Sequence, residues 1–172
     1  MKHFTMEDCT HSNTAIAKGI DNTPGTEHKA HIIESIETLI DSLHDAWEQH
    51  CNENGLGTPG IRISSGYRGP ALNKAVGGST TSAHCHGYAF DLVPVYGKSD
   101  TPAMKTNKMV EFKHFCRRFL SAGHPFDQLI SEGENKQGVP TWMHVGYKHP
   151  DGHAQRCQFL SMIDGMYCQM TK

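Results

Sequence analysis

Apolar residues recur at helical spacing in the first long patterned segment of the chain. They are Ile32, Ile36, Ile40, Leu43 and Trp47. Side chains three or four positions apart share one face of a helix, so this spacing predicts a buried stripe. We expect an amphipathic helix from about Glu27 to about Cys51, which the glycine-rich residues 55–60 bring to an end.

A second apolar stripe predicts another helix that ends near Gly123, and shorter patterns predict strands. The helical stripe is Met109, Val110, Phe112, Phe115, Phe119 and Leu120. Strands are expected at 61–63, 89–93, 128–131 and 142–147, with one more within 155–163, and a brief helix is expected from Pro70 to Val76. Segregated helices and strands indicate the α+β class, here a single domain with a central antiparallel sheet and flanking helices. Residues 1–27 are polar and predict an irregular N-terminal extension.

Composition narrows the functional classes. The 172 residues are 37% hydrophobic and 20% charged, with a formal net charge of -2, as in an ordinary globular domain. The chain has no basic tract that would indicate nucleic-acid binding. It also has no apolar run of the length that a signal peptide or a membrane partner would require. The six cysteines are widely spaced, so we expect mostly reduced thiols. Synthesis is expected in the cytoplasm, without a signal peptide. We also expect a monomer.

Three segments concentrate side chains that bind metals: residues 82–91, 126–132 and 142–147. Zinc catalysis needs three nitrogen or oxygen ligands and a fourth position open for water. His84, Asp91 and His144 supply two imidazoles and a carboxylate, and Glu132 supplies a carboxylate that can accept a proton from water. In a chain with thirteen histidines, this set taken alone is equally compatible with packing roles. Glu132 and Arg68 taken alone are compatible with solvated surface positions.

The residues around these ligands match a known pattern. The matching runs are 63–68 (Ile-Ser-Ser-Gly-Tyr-Arg), 82–91 (Ser-x-His-x-x-Gly-x-Ala-x-Asp), Phe126-Asp127 and 142–145 (Trp-Met-His-Val). Together they resemble the M15 zinc D-Ala-D-Ala carboxypeptidases, and within them the M15A-type domains of phage and bacterial proteins. The resemblance extends over essentially the whole chain and implies the fold of these peptidases, which the hedgehog signalling domains share.

The resemblance implies a role for five residues. His84, Asp91 and His144 become the ligands of a zinc ion. Arg68 is expected to meet a substrate carboxylate or carbonyl, because a guanidinium fork recognises such oxygens and stabilises charge that develops on them. Ser82 is expected to touch the substrate or a ligand. His86 and Cys85 are alternative ligands near His84, but the Ser-x-His-x-x-Gly register selects His84.

The catalytic base departs from the pattern. Many relatives place an acidic residue three positions before the last histidine ligand, where this chain has Thr141. The hedgehog domains instead carry a glutamate after a strand that contains Phe-Asp. Phe126-Asp127 followed by Glu132 is similar to that arrangement, so we expect Glu132 to be the base, with Asp127 and Glu134 as lesser candidates.

The implied activity is hydrolysis of an amide bond in a peptidoglycan stem peptide. Cleavage of the terminal D-Ala and cleavage of a cross-link both remain open. A phage-encoded enzyme that acts on the cell wall after release or export is one expectation. The alternative is a non-catalytic module in which zinc stabilises a surface that binds cell-wall peptides or a protein, and Thr141 keeps this alternative open.

Overall fold

A six-stranded sheet forms the centre of the computed structural model, which describes residues 1–171. The strands lie side by side in the order β1-β2-β4-β3-β5-β6. All pairings are antiparallel except that of β3 with β5, which is parallel. The strands are β1 (Ile61–Ser65), β2 (Ala89–Pro94), β3 (Gln128–Glu132), β4 (Trp142–Gly146), β5 (Gln158–Ile163) and β6 (Met166–Gln169).

The helices confirm both predicted stripes and the α+β class. The helices are α1 (Met6–Thr10), α2 (Asn13–Lys18), α3 (Thr26–Ser35), α4 (Asp41–Asn54), α5 (Pro70–Ala75) and α6 (Pro102–Ser121). A π-helical turn, Ile36–Ile40, joins α3 to α4, so the first stripe runs along one continuous helix. All five of its apolar residues are fully buried. Within residues 1–171, no helix is both long enough and apolar enough to cross a lipid bilayer.

The two faces of the sheet have different chemistry. Phe90, Leu92, Leu129, Met143 and Val145 are fully buried in the hydrophobic core that α3, α4 and α6 share with the sheet. Successive side chains of a strand point to opposite faces. The residues between these core positions therefore face the other side, and they include the polar ones that matter for chemistry.

The N-terminal segment differs from its prediction. Residues 1–27 contain α1 and α2 rather than only irregular chain. Thr5 begins α1 with a capping box, in which its side chain accepts from the Asp8 amide while the Asp8 carboxylate accepts from the Thr5 amide. Ser12 caps α2 more simply, with its hydroxyl oxygen accepting from the Ala15 amide. These helices are only one or two turns long, so they present no periodic apolar stripe, and local capping bonds define them instead.

The C-terminal part adds a strand that the sequence pattern does not predict. The expected strand within 155–163 is present as β5, but β6 follows it as an antiparallel partner. All four residues of β6 are exposed at the edge of the sheet, with Met166 and Tyr167 more than half exposed. Because neither face of β6 is buried, its sequence shows no alternation of apolar and polar residues.

Candidate metal centre

Strand register brings two of the three expected ligands together. Asp91 on β2 lies directly opposite His144 on β4, and His144 lies opposite Ile130 on β3. Directly paired residues of neighbouring strands share a face, so the Asp91 and His144 side chains project to the same side. His84 reaches the same point from a 3₁₀ turn, Ala83–His86, that immediately precedes β2.

The three ligand atoms are almost equidistant. Nε2 of His84 lies 3.2 Å from Oδ1 of Asp91. Nδ1 of His144 lies 3.1 Å from that oxygen and 3.1 Å from Nε2 of His84. Ligands placed tetrahedrally around zinc, at bond lengths of about 2.0–2.1 Å, are about 3.3–3.4 Å apart. The donor set therefore fits a small tetrahedral cation with only slight adjustment.

Hydrogen bonding and burial give His84 the form that binds a metal. Its Nδ1 donates to the carbonyl oxygen of Gly66 at 2.8 Å, which leaves the lone pair of Nε2 facing the other ligands. Burial lowers the pKa of His84, so its ring is neutral near pH 7. Burial raises the pKa of Asp91, but its net shift is downward, the hydrogen bond with His144 being one cause, and the carboxylate is ionised. The ionised carboxylate and the His84 lone pair repel each other at this separation, and a cation bound to both would remove that repulsion.

The N-terminal segment supports the loop that orients His84. The carbonyl oxygen of Cys9, in α1, accepts a hydrogen bond from the Tyr67 amide at 2.7 Å. A Cβ atom on Gly66 would lie only 2.2 Å from that same carbonyl oxygen, so no residue larger than glycine fits. Close packing of α1 against this loop thus positions the Gly66 carbonyl that receives the His84 hydrogen bond.

One side chain fixes the same loop on both sides of Arg68. Nδ2 of Asn22 donates to the carbonyl oxygens of Thr10 and Tyr67, at 2.8 and 3.0 Å. Its Oδ1 accepts from the Gly69 amide at 2.8 Å. The Arg68 amide itself donates to the His84 carbonyl at 3.1 Å. The backbone of Arg68 is therefore held relative to the metal centre by bonds before, at and after this residue.

The three ligands open into a cleft of about 510 Å³. Arg68 and Ser82, the two residues expected to contact a substrate, line it, and so does Glu132. Arg68 makes no side-chain hydrogen bond or ion pair within residues 1–171, and its Nε is buried without a partner. A buried guanidinium nitrogen without a partner is costly, so this group is available to an anionic or carbonyl ligand in the cleft.

Glu132 is the carboxylate that shares the cleft with the ligands. It pairs with Trp142 on β4, so it lies diagonally from His144 on the same face, where Cα atoms are about 7 Å apart. Burial raises the pKa of Glu132; the nearby Asp91 charge adds to this effect, while His144 and Arg68 oppose it. Its carboxylate has no hydrogen-bond donor among the described side chains. A carboxylate with a raised pKa and no fixed donor suits proton transfer.

The lesser candidates for the base are engaged elsewhere. Asp127 is fully buried and forms a two-pronged ion pair with Arg156, which lowers the pKa of Asp127 against the effect of burial. Glu134 is buried against Lys113, with its Oε1 2.9 Å from the Lys113 Nζ. Thr141 is exposed and donates its hydroxyl to the Gly133 carbonyl at 3.2 Å, and it does not line the cleft.

His86 and Cys85 do not join the ligand group. In an extended strand His84 and His86 would face the same side, but this segment is a 3₁₀ turn. Three residues complete such a turn, so side chains two positions apart diverge. His86 accordingly packs edge-on against His28 of α3, at 5.9 Å between ring centroids.

Several residues that line the cleft carry no signal in the sequence. They follow β4 or belong to the C-terminal hairpin: His149, Pro150, Arg156, Met162 and Tyr167. The parallel pairing of β5 with β3 brings that hairpin to the cleft. A parallel neighbour cannot be identified from the alternation within one strand, and neither can the residues it carries.

Comparison with known protein families identifies a match. The model of a family described as Peptidase M15 matches residues 2–121, which is more than half of the chain. The match includes Arg68, His84 and Asp91 but ends before Glu132 and His144. The pairing of β4 with β2 brings His144 to Asp91, and the pairing of β3 with β4 brings Glu132 to the same cleft. No curated protein matches the sequence.

Proposed function

Because the chain belongs to the peptidase M15 family and is thus a peptidase, we propose that it hydrolyses an amide bond of peptidoglycan stem peptides with the help of zinc. The observation that carries this proposal is the convergence of His84, Asp91 and His144 within 3.1–3.2 Å of one another. Two imidazoles and a carboxylate are a common ligand set for catalytic zinc. The cleft beside them contains an unpaired guanidinium and an unpaired carboxylate.

The metal would be held by His84, Asp91 and His144. When bound there, zinc supplies Lewis acidity, which polarises the scissile carbonyl and makes water more acidic. The hydrogen bond from His84 to Gly66 keeps the imidazole in the tautomer that can ligate. The strand pairing of Asp91 with His144 keeps the other two ligands at a fixed separation.

Glu132 acts as the general base and then as the general acid. Its carboxylate accepts a proton from the attacking water, and the same group returns that proton to the nitrogen of the leaving amine. The raised pKa of Glu132 suits both steps, because it makes the carboxylate a stronger base and favours the protonated acid that the second step needs. Since Asp127 and Glu134 are paired with basic side chains, neither is free for this role.

Arg68 binds the negative end of the substrate. Arg156 also lines the cleft, but Asp127 already neutralises it, whereas Arg68 has no partner. A stem peptide that ends in D-Ala presents a carboxylate one residue beyond the scissile carbonyl. A guanidinium pairs with such a group more strongly than with a neutral carbonyl, so cleavage of the terminal D-Ala is favoured over cleavage of a cross-link. Ser82, on the cleft wall, contributes a hydroxyl to the same substrate.

The place of action follows from the proposed substrate. The chain is proposed to be made in the cytoplasm and to reach the cell wall after release or export. A phage-encoded enzyme that opens the host wall would have this behaviour. Fractionation of producing cells, with and without lysis, tests whether wall cleavage needs prior release of the protein.

Digestion of purified peptidoglycan, read by mass spectrometry, tests the activity and the bond together. A carboxypeptidase should remove single D-Ala residues, while an endopeptidase should convert cross-linked muropeptides to uncross-linked ones. Both activities should disappear on chelation and return with zinc. Unchanged muropeptides, together with binding of the protein to peptidoglycan, would instead identify a non-catalytic module that zinc stabilises.

Metal analysis tests the ligand set independently of activity. His144→Ala should abolish zinc binding at the proposed centre, since two ligands hold zinc far more weakly than three. His153→Ala is a matched control, because His153 is exposed and lies outside the cleft lining. Unchanged zinc affinity at this centre in His144→Ala would disprove the ligand set even if activity were lost.

A further inference from the structure

A second group of metal-binding side chains lies on α4, away from the cleft. It consists of His3, His44, Asp45 and Glu48, each of which offers one ligand atom within 4.8 Å of the others. His44 and Glu48 are four positions apart on α4 and therefore share a helix face. Nδ1 of His44 lies 3.7 Å from Oε2 of Glu48. Nε2 of His3 lies 2.6 Å from Oδ1 of Asp45.

The feature that points to a ligand is Nδ1 of His44. The His44 residue is 8% exposed, and its Nδ1 is buried without a hydrogen-bond partner in the described part of the chain. A buried polar atom without a partner is unfavourable, because it has lost its hydrogen bonds to water and gained none in return. Oε2 of Glu48 lies 3.7 Å from this atom, too distant for a hydrogen bond, and this separation suits two ligands of one ion.

The N-terminal residues are held in place for such a site. The carboxylate of Asp41 accepts hydrogen bonds from the backbone amides of Lys2 and His3, at 2.6 and 3.0 Å. The His3 ring stacks on the His44 ring, with 4.0 Å between centroids and 17° between planes. Both imidazoles are thus positioned before any ion arrives, which lowers the entropic cost of binding.

We propose that His3, His44, Asp45 and Glu48 form a second site for a divalent transition metal, separate from the catalytic centre. Two imidazoles and two carboxylates suit zinc, and also nickel or copper, better than calcium or magnesium. The ligand atoms are more widely spaced than those of the centre in the cleft, so binding here is weaker. A bound ion would fasten residues 1–5 to α4.

A lysine already occupies part of this surface. Nζ of Lys2 lies 2.7 and 2.8 Å from the two Asp45 oxygens. The Lys2 side chain is 64% exposed and that of Asp45 is 45% exposed, so water screens this ion pair and leaves it weak. Lys2 can therefore turn into solvent when a metal takes its place. The competition should make metal binding tighter in a Lys2→Gln variant.

Zinc titration by calorimetry tests the second site. The full chain, free of any histidine tag and stripped of metal, should bind two zinc ions with distinct affinities. His3→Gln and Glu48→Gln each remove a ligand without opening the core, and each should weaken the second event at least tenfold. Both variants should keep wild-type peptidase activity, because neither residue lines the cleft.

Two controls make the outcome decisive. His50→Gln, on the same helix, replaces a histidine that already pairs with Glu111 at 2.9 Å, and it should keep both binding events. His144→Ala should lose the tight event and keep the weak one. A single zinc ion per wild-type chain, or a second event that His3→Gln and Glu48→Gln leave unchanged, would overturn the proposal.

Discussion

Nδ1 of His84 donates a hydrogen bond to the carbonyl oxygen of Gly66 at 2.8 Å, although 18 positions separate the two residues. This bond determines which nitrogen of His84 faces the other ligands. The position of the Gly66 carbonyl depends in turn on α1, because the Cys9 backbone packs directly against Gly66. The geometry of the proposed metal centre thus depends on the N-terminal segment.

Gly66→Ala should damage both the fold and the metal centre. The new Cβ would lie 2.2 Å from the Cys9 carbonyl oxygen, which forces α1 and the loop apart. We expect the free energy of unfolding to fall by about 1–3 kcal/mol and zinc affinity to fall by about 10-fold or more, measured by denaturation and calorimetry. Gly25→Ala is the control, since a Cβ there meets nothing within 4 Å. Equal zinc affinity in Gly66→Ala and wild type would refute the dependence.

Glu132→Gln should abolish turnover and spare metal binding. The amide keeps the shape of the side chain but cannot accept the proton, so kcat should fall by about 10²- to 10⁴-fold. In the wild type, kcat/KM should fall as the pH drops through the raised pKa of Glu132, above its ordinary value of 4.5. Thr141→Val, at the position where relatives carry an acid, should keep activity. Substantial activity in Glu132→Gln would assign the base elsewhere.

Arg68→Gln should weaken recognition of a terminal carboxylate. We compare a stem peptide that ends in D-Ala-D-Ala with its C-terminal amide, which lacks the charge. The wild type should cleave the free acid about 10-fold or more faster than the amide, which is the effect of one charge-assisted hydrogen-bonded pair. The variant should lose this preference. Arg118→Gln is the control, because Arg118 pairs with Glu111 outside the cleft. A variant that still prefers the free acid would show that a group other than Arg68 binds the substrate carboxylate.

Asp127 should contribute stability that disappears in acid. The Arg156 pair lowers the pKa of this buried carboxyl, so its contribution is complete above the ordinary value of 3.8 and is lost as the pH falls through the lowered value. Asp127→Asn should cost about 1 kcal/mol at pH 7, a low figure because Arg156 is partly exposed. As the pH falls below 3.8 towards the lowered pKa, the difference between the two proteins should shrink. Urea denaturation at pH 7 and at pH 3 checks this, and a constant difference would contradict it.

The periodic parts of the fold were predictable from sequence because burial imposes a pattern on them. Ile32 and Trp47 mark the long helix by spacing, and residues 89–93 mark the strand that contains Asp91. The expected ligands were found through local register, and strand pairing brings two of them together. Only the antiparallel pairing of β2 with β4 shows that Asp91 faces His144, 53 positions later.

The remaining features depend on contacts that no local pattern encodes. The capping bonds of Thr5 and Ser12 define helices too short to show a stripe. The divergence of His84 and His86 follows from a 3₁₀ turn, which no periodic pattern in the sequence marks. The choice of Glu132 among three carboxylates becomes clear only when Arg156 and Lys113 are seen to occupy the other two.

The hydrogen bonds of Asn22 have a consequence for how such a chain can be recombined with others. A gene fusion that replaced residues 1–22 would remove the amide that holds Tyr67 and Gly69 on either side of Arg68. It would also remove the Cys9 carbonyl that the Tyr67 amide needs. The N-terminal segment is therefore not an exchangeable appendage, and the smallest unit that could be transplanted intact begins before α1.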